Sequence, residues 1–353
     1  MKKHANIPIF IPHLGCPNNC VFCNQRKISG KIDFKFENVR DEIERSLFSI
    51  ENAKNIKTNI HGYGESYTEP PEIAFFGGSF TGIDRDLMIA LLDLAEEYVR
   101  AGRVCSVRLS TRPDYISREI LDILARYTVR DIELGLQSMD DEVLLASRRG
   151  HTSATAREAC ALILDYGFVL GGQMMIGLPL STLEKELYTA RELCNMKICA
   201  VRVYPTVVFY ETELCNMAKA GLYVPLELDD AIMRTAKVIS IFDEHNIPCI
   251  RVGLCASENL SSPEEVYGGA NHSAIGELAM NRVFLDRICK ILDTSSDTRG
   301  KTIQICVPKG AKSKVIGQHR KNMTELYKKY LPVQIILVEK NELIGYNIEI
   351  NIF

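Results

Sequence analysis

Short runs of apolar and β-branched residues, each followed by a stretch with helical spacing, fill the first three-quarters of this chain. That alternation limits its fold more than any other feature. The runs lie at residues 6–14, 72–76, 104–110, 131–136, 168–176 and 200–207, with a seventh at 248–253. Between them, Val39, Ile43, Leu47 and Ile50 recur at the steps of one helix face, as do Leu87, Leu91, Leu94 and Tyr98. Ser181-x-x-Glu184 and Thr155-x-x-Glu158 read as capping boxes that open two more helices. Strand-then-helix units in series demand a parallel sheet, because a right-handed crossover returns each strand in the same direction. No nucleotide-type glycine fingerprint follows the first run. The expected class is therefore α/β, a partial TIM-type (β/α)6 barrel rather than an open doubly wound sheet.

The chain has 353 residues, room for about two domains. With 46% hydrophobic and 25% charged residues it is neither disordered nor collagen-like. No apolar run approaches the ~18 residues needed to span a bilayer. The stretch from Ile7 to Leu14 is short and broken by Pro8, Pro12 and His13, which argues against a signal peptide, so a cytoplasmic location is expected. Residues 294–300 read as a polar linker between a barrel at 1–293 and a small α+β unit at 301–353. In that unit the expected order is a strand at 302–307, a short helix at 311–316, a turn at 317–320, a helix to Tyr330, and strands at 333–338 and 343–352. Seven Lys and one Arg against one Glu give residues 301–330 a balance of +7, where the whole chain carries −3, so the remainder carries −10. The charge is segregated, which the whole-chain figure conceals; a solvated Lys-rich face and an anionic partner both fit it. About fifty residues make a marginal core, so this unit is expected to pack against the barrel.

Twelve cysteines are many for a chain of this kind. Nine are scattered and read as small buried hydrophobes: Cys105, Cys160, Cys194, Cys199, Cys215, Cys249, Cys255, Cys289 and Cys306. The other three form a C-x3-C-x2-C run, Gly15-Cys16-Pro17-Asn18-Asn19-Cys20-Val21-Phe22-Cys23, just after the first strand. Thiolates so close in sequence can share one metal centre, and zinc and iron–sulfur clusters both select thiolate. A structural zinc needs a fourth protein ligand, for which His13 is the only local candidate. Three ligands to a four-iron cluster leave one iron open to a small molecule.

That run, with an aromatic before its last cysteine, resembles the signature of radical S-adenosylmethionine (SAM) enzymes. Further stretches are similar to the branch containing the Elongator catalytic subunit: Phe76-Gly77-Gly78-Ser79-Phe80-Thr81, Thr111-Arg112-Pro113-Asp114-Tyr115, Glu133-Leu134-Gly135-Leu136-Gln137-Ser138, Arg149-Gly150-His151-Thr152 and Met174-Met175-Ile176-Gly177-Leu178-Pro179. Each falls at or just beyond the end of an expected strand, where a barrel builds its active site. The resemblance implies that Cys16, Cys20 and Cys23 hold a [4Fe–4S] cluster whose fourth iron chelates SAM. One electron, from a flavodoxin- or ferredoxin-type donor, would cleave SAM to methionine and a 5′-deoxyadenosyl radical that abstracts hydrogen from the substrate. It further implies that Phe22 lies against the adenine and that Gly77, Gly78 and Ser79 face the methionine amine. Gln137 and Arg149 would hold the ribose and carboxylate, with Gln173 and Gly177 bordering the nucleoside. His151 and His272 read as a loop histidine and a substrate-side group.

Two departures from the branch stand out. Ser110 occupies a position that is often Glu, which removes one carboxylate from the expected site. The stretch after the barrel is too short for the acetyltransferase domain that follows the radical domain in the Elongator subunit, so acetyl-CoA-dependent chemistry is not expected. Strand–helix–turn–helix–strand with Gly317-Gln318-His319-Arg320 is similar to a KH module, whose GxxG loop clamps single-stranded RNA. Here Arg320 replaces the second glycine, and Lys312, Lys314, Gly317, Arg320 and Lys321 become candidate RNA contacts, tRNA first. A coproporphyrinogen-oxidase-like action on a small molecule is the alternative, disfavoured by Gln25 where that branch carries a further Cys. A zinc-stabilised RNA-binding protein is the non-enzymatic one.

Overall fold

A computed structural model describes residues 5–11, 14–16, 20–24, 34–58, 70–254, 264–295 and 298–353. His13, Pro17, Gln25 and Cys255 lie outside them. The barrel runs β1 (Asn6–Ile11), α1 (Val39–Thr58), β2 (Glu72–Gly77), α2 (Arg85–Arg100), β3 (Ser106–Thr111), α3 (Arg118–Leu124), β4 (Val129–Gln137), α4 (Asp141–Ala146), α5 (Ser153–Asp165), β5 (Val169–Ile176), α6 (Leu183–Asn195) and β6 (Ala200–Pro205). There follow β7 (Val207–Phe209), α7 (Glu213–Lys219), α8 (Leu228–Glu244), β8 (Cys249–Val252), β9 (Val266–Gly269) and α9 (Ile275–Leu292). The small unit adds β10 (Thr302–Pro308), α10 (Lys312–Ile316), α11 (Lys321–Tyr330), β11 (Gln334–Lys340) and β12 (Glu349–Ile352).

Seven strands pair in parallel in the order β1-β2-β3-β4-β5-β6-β8, each added at the same edge. The result is a half-barrel of six units with a seventh strand at its far edge. Period-2 alternation sorts its residues. Ile7, Ile9 and Ile11, Ile73 and Phe75, Val107 and Leu109, Ile132 and Leu134, and Val201 and Val203 face the helices in one apolar core. The intervening residues face the concave side; on β3, β4 and β6 they include Arg108, Asp131, Glu133 and Arg202, while Pro8, Phe10, Phe76 and Met175 give the same side apolar wall.

The helices begin where side-chain oxygens satisfy their first amides. Asp84 accepts from the amides of Asp86 and Leu87, both at 3.1 Å. The two expected capping boxes are displaced. The caps are Thr152, accepting from the Thr155 amide at 3.2 Å, and Thr182, accepting from the Lys185 amide at 3.4 Å. Thr155 is thus inside α5. Asp141 supplies the reason, since its carboxylate takes the Ser153 amide and fixes the first turn three residues early. The first strand ends at Ile11 rather than 14, because the chain there turns into the cysteine loop.

In the small unit β10 is central, parallel to β11 and antiparallel to β12. The last strand is shorter than expected. Residues 343–348 instead fold back and pack the Tyr346 ring on Phe284 of α9, with centroids 5.1 Å apart. The core of the unit is shared: Phe284, Leu285, Ile288 and Leu292 from α9 pack with Ile303, Ile305, Val315 and Leu326. Burying one face of α9 there and Ala279 and Val283 against α8 elsewhere ties the small unit to the barrel. Among the described residues no helix is long and apolar enough to cross a membrane.

Candidate active site

One cavity of about 610 Å³ opens at the C-terminal ends of the strands, lined by Cys16, Cys20 and Cys23 among others. The cysteine loop is held there by backbone packed on backbone. At Gly15, φ is +71°, and a Cβ would lie 2.3 Å from the carbonyl oxygen of Ser79. A Cβ on Gly78 would lie 2.2 Å from that of Leu14. Only glycine fits at either position, and the Ser79 amide donates to Leu14 O at 3.3 Å across the gap they leave. On the other side the Val21 amide donates to Ser147 O at 3.2 Å and Val21 O accepts from the Leu214 amide at 2.7 Å. Val21 is buried with Val208, Leu214 and Tyr223, so segments far along the chain clamp the loop.

Two guanidiniums stand beside the sulfurs. Arg112 is gripped by both oxygens of Asp114 at 2.9 Å, donates to the Arg149 carbonyl, and places Nη1 3.8 Å from Sγ of both Cys16 and Cys20. Burial works against its charge, but Asp114 and the two sulfurs keep its pKa above the usual guanidinium range. Arg149 places Nη1 3.3 Å from Cys20 Sγ and Nη2 2.5 Å from Gly135 O, while its buried Nε has no hydrogen-bond partner. Gln137 has a left-handed backbone, φ +68°, at an irregularity in the β4–β5 pairing, which turns its side chain toward Gln173 at 3.4 Å.

Beneath these groups lies a charged floor. Arg108 bonds Glu72 at 3.2 Å, Asp131 at 3.0 Å and Glu133 at 2.7 Å. Arg202 completes Glu133 in a two-point pair at 2.7 and 3.0 Å. Arg130 adds contacts to Glu72 and Asp131. Burial pushes the Asp131 carboxyl up, against the pull of Arg108 and Arg130.

Of the residues expected at the site, the three cysteines, Phe22, Gly77, Gly78, Gln137, Arg149 and Gln173 line the cavity. Ser79 and Gly177 do not. The Ser79 hydroxyl is buried 2.7 Å from that of Thr111 and accepts from the Arg112 amide, bracing β3 against β2. Gly177, φ +77°, gives its amide to Glu186 at 2.8 Å and takes the Tyr223 hydroxyl at 2.7 Å, so it shapes a turn behind the wall. His272 accepts from the Ala274 amide at 3.1 Å in the turn that precedes α9. His151 is buried with Nε2 unpartnered. In the small unit Lys312, Arg320 and Lys321 are exposed, Lys314 is half-buried, and Gly317 is buried against Asn322. His319 and Arg320 both have left-handed backbones, the geometry a second glycine would adopt without strain.

Arg112, Arg202, Tyr204 and Arg251 also belong to the site, and no sequence motif gave them a role. Period 2 in Val201-Arg202-Val203-Tyr204 could have found two of them, since a charge between buried valines must face inward. The scattered cysteines divide. Burial pushes the thiols of Cys160 and Cys249 up to about 12 and Cys194 up to about 11, which leaves them inert. Cys199 is exposed and departs from the expectation of a buried hydrophobe.

The donor set fits an iron–sulfur cluster. Zinc, with sulfur at ~2.3 Å, draws its ligands to within roughly 4 Å of one another. Among the described residues no three Cys, His, Asp or Glu side chains converge as one ion would require. Three sulfurs spaced around one cavity, with cationic donors beside two of them, suit a polynuclear centre.

The model of the radical SAM superfamily matches residues 10–193, and that of the radical SAM C-terminal domain matches residues 198–283. An uncharacterised protein of Methanocaldococcus jannaschii is 28% identical over 275 residues, 75% of this chain and 78% of its own length. The tRNA uridine(34) acetyltransferase of the same organism is 31% identical over 133 residues, 37% of this chain but only 25% of that protein. The structure of the archaeal Elp3 of Methanocaldococcus infernus, with its N-terminus deleted, superposes at a TM-score of 0.59 and 19% identity, covering 84% of this chain and 65% of that one. The chain therefore spans a quarter to two-thirds of these Elongator-type relatives.

Proposed function

The chain belongs to the radical SAM superfamily, and from that premise we propose that it is an enzyme of the Elongator-like branch that modifies RNA, with tRNA the first candidate. Three cysteines set around the same cavity as Gly77, Gly78, Gln137 and Arg149 carry the reading. A [4Fe–4S] cluster held by Cys16, Cys20 and Cys23 supplies, when bound and reduced by a flavodoxin- or ferredoxin-type donor, the electron that cleaves SAM to methionine and a 5′-deoxyadenosyl radical. The chain's own residues orient and shield. Arg149 Nε, buried without a partner, is free to take the SAM carboxylate. Gln137, whose side chain meets Gln173 at 3.4 Å, would take a ribose hydroxyl with Gln173 bordering the nucleoside, and Phe22 would offer a ring to the adenine. Arg112 offsets the negative charge of the thiolates.

The basic unit would hold the RNA in the cytoplasm where its substrate resides. Exposed Lys312, Arg320 and Lys321 supply phosphate contacts, with Arg320 offering a guanidinium where a GxxG loop offers bare backbone. Anaerobic reconstitution with iron and sulfide, then dithionite and SAM, tests the chemistry: 5′-deoxyadenosine must be released. A well-folded, iron-loaded sample that releases none rejects it. For the partner, replacing Lys312, Arg320 and Lys321 by Gln must flatten the salt dependence of tRNA binding, by roughly 0.7 in log–log slope for each phosphate no longer neutralised. An unchanged slope rejects the RNA role of this unit.

A further inference from the structure

Arg202 and Arg251 are direct cross-strand partners, one on β6 and one on β8, and both side chains line the cavity. Like charges opposite one another on one face of a sheet repel, at a cost set by how far water is excluded. For Arg202 the cost is met by the two-point pair with Glu133, which Arg108 also shares. Arg251 has no such partner among the described residues. Its Nε donates to the Gly253 carbonyl at 3.2 Å, and the rest of its guanidinium is left to the cavity. Tyr204, two residues beyond Arg202 on the same strand and on the same face, lies near both guanidiniums and adds a hydroxyl to the patch. This patch stands at the edge of the sheet opposite β1, which leads into the cysteine loop, so it is separate from the Arg112–Arg149 group beside the sulfurs.

We infer that Arg251 binds an anionic group of the substrate, a phosphate in the RNA reading above, on which the identity of that anion rests. A guanidinium holds phosphate or carboxylate oxygens in a two-point pair, and this one is already positioned by a strand and a backbone bond. An anion there would separate the two guanidiniums electrically and fix the substrate at the wall facing the cluster loop.

The test is residue-resolved modification by phenylglyoxal, mapped by peptide mass spectrometry on the full-length, cluster-loaded protein with SAM present throughout. Inorganic phosphate should slow modification of Arg251 at least about tenfold while leaving exposed Arg100 unchanged, a difference worth about 1.4 kcal/mol. Equal rates at Arg251 with and without phosphate would overturn the inference, as would full protection by SAM alone. Unfractionated tRNA is the second arm. Protection by tRNA, together with a salt slope for tRNA binding shallower by roughly 0.7 in Arg251→Gln and restored in Arg251→Lys, assigns the anion to RNA. Protection by phosphate but not by tRNA keeps Arg251 as an anion site and defeats the RNA reading instead.

Discussion

Replacing Arg108 by Met keeps most of the side-chain stem and removes the one cation that touches Glu72, Asp131 and Glu133 together. Removing one partner of a buried ion pair costs about 3–5 kcal/mol, because the other charge stays behind without compensation. Here Arg130 still serves Glu72 and Asp131, and Arg202 still serves Glu133, which puts the cost at the low end, about 3 kcal/mol. At roughly 2.1 cal/mol/K of unfolding entropy per residue, a 353-residue chain loses about 4 °C in Tm for that cost. The pH dependence gives the sharper check. Burial already pushes the Asp131 carboxyl above its ordinary value, and Arg108 is the largest influence pulling it back. Without Arg108 it rises further, so the folded variant binds more protons than its unfolded chain over the carboxylate range. Stability of the variant then falls as pH rises, and its deficit against the wild type is larger at about pH 7.5 than at about pH 5. Far-UV circular dichroism melts at both values read this directly in a protein that has no Trp. A deficit under about 1 °C at both, or one that grows on acidification, would refute the assignment of Arg108 as the charge that holds the floor together.

Gly78→Ala sets a Cβ against the Leu14 carbonyl at 2.2 Å, so the segment leading to Cys16 must move; about 1–3 kcal/mol is expected, with iron content after reconstitution at least halved. Gly102→Ala, whose Cβ meets nothing within 4 Å, bears only the left-handed backbone cost and should load iron normally; equal loading by both variants would disprove the seating argument. Burial, then Arg149, lowers His151 to about 4, so the native state binds fewer protons than the unfolded chain below about pH 6.5. That stability is complete above pH ~6.5 and declines by roughly 3 kcal/mol as pH falls toward 4, so urea midpoints of His151→Gln should flatten over this window where the wild type slopes.

The sequence was legible where a residue type has few alternatives. A C-x3-C-x2-C run, glycines at strand ends and alternation along β2 to β5 each admit few structures, and the half-barrel and most of the cavity wall followed from them. Ser79 and Gly177 stand off the cavity lining for a common reason: a motif says that a turn lies near a site, not which of its atoms faces it. The Ser79 hydroxyl is taken up by Thr111, and Gly177 by Glu186 and Tyr223. The helix α9 could not be divided from sequence either. Its apolar residues serve the barrel on one face and the small unit on the other, so the packing of the two units is shared across it.

The charged floor was the least legible part, because in a strand pattern a lone Arg or Glu reads only as a break. In the structure those breaks align: Glu72, Arg108, Asp131, Glu133 and Arg202 fall on the same face of neighbouring strands and, with Arg130, neutralise one another. Small residues make room for them, as at Gly171, where a Cβ would lie 2.9 Å from Glu133 Cγ. A floor of paired charges keeps its dipoles fixed while the cavity above fills and empties, which an apolar floor could not do for a polar substrate. It also explains why Arg251 stands out. Among the described residues the other arginines of this face each have a carboxylate, and Arg251, which has none, is the one we infer to take an anion from outside the chain.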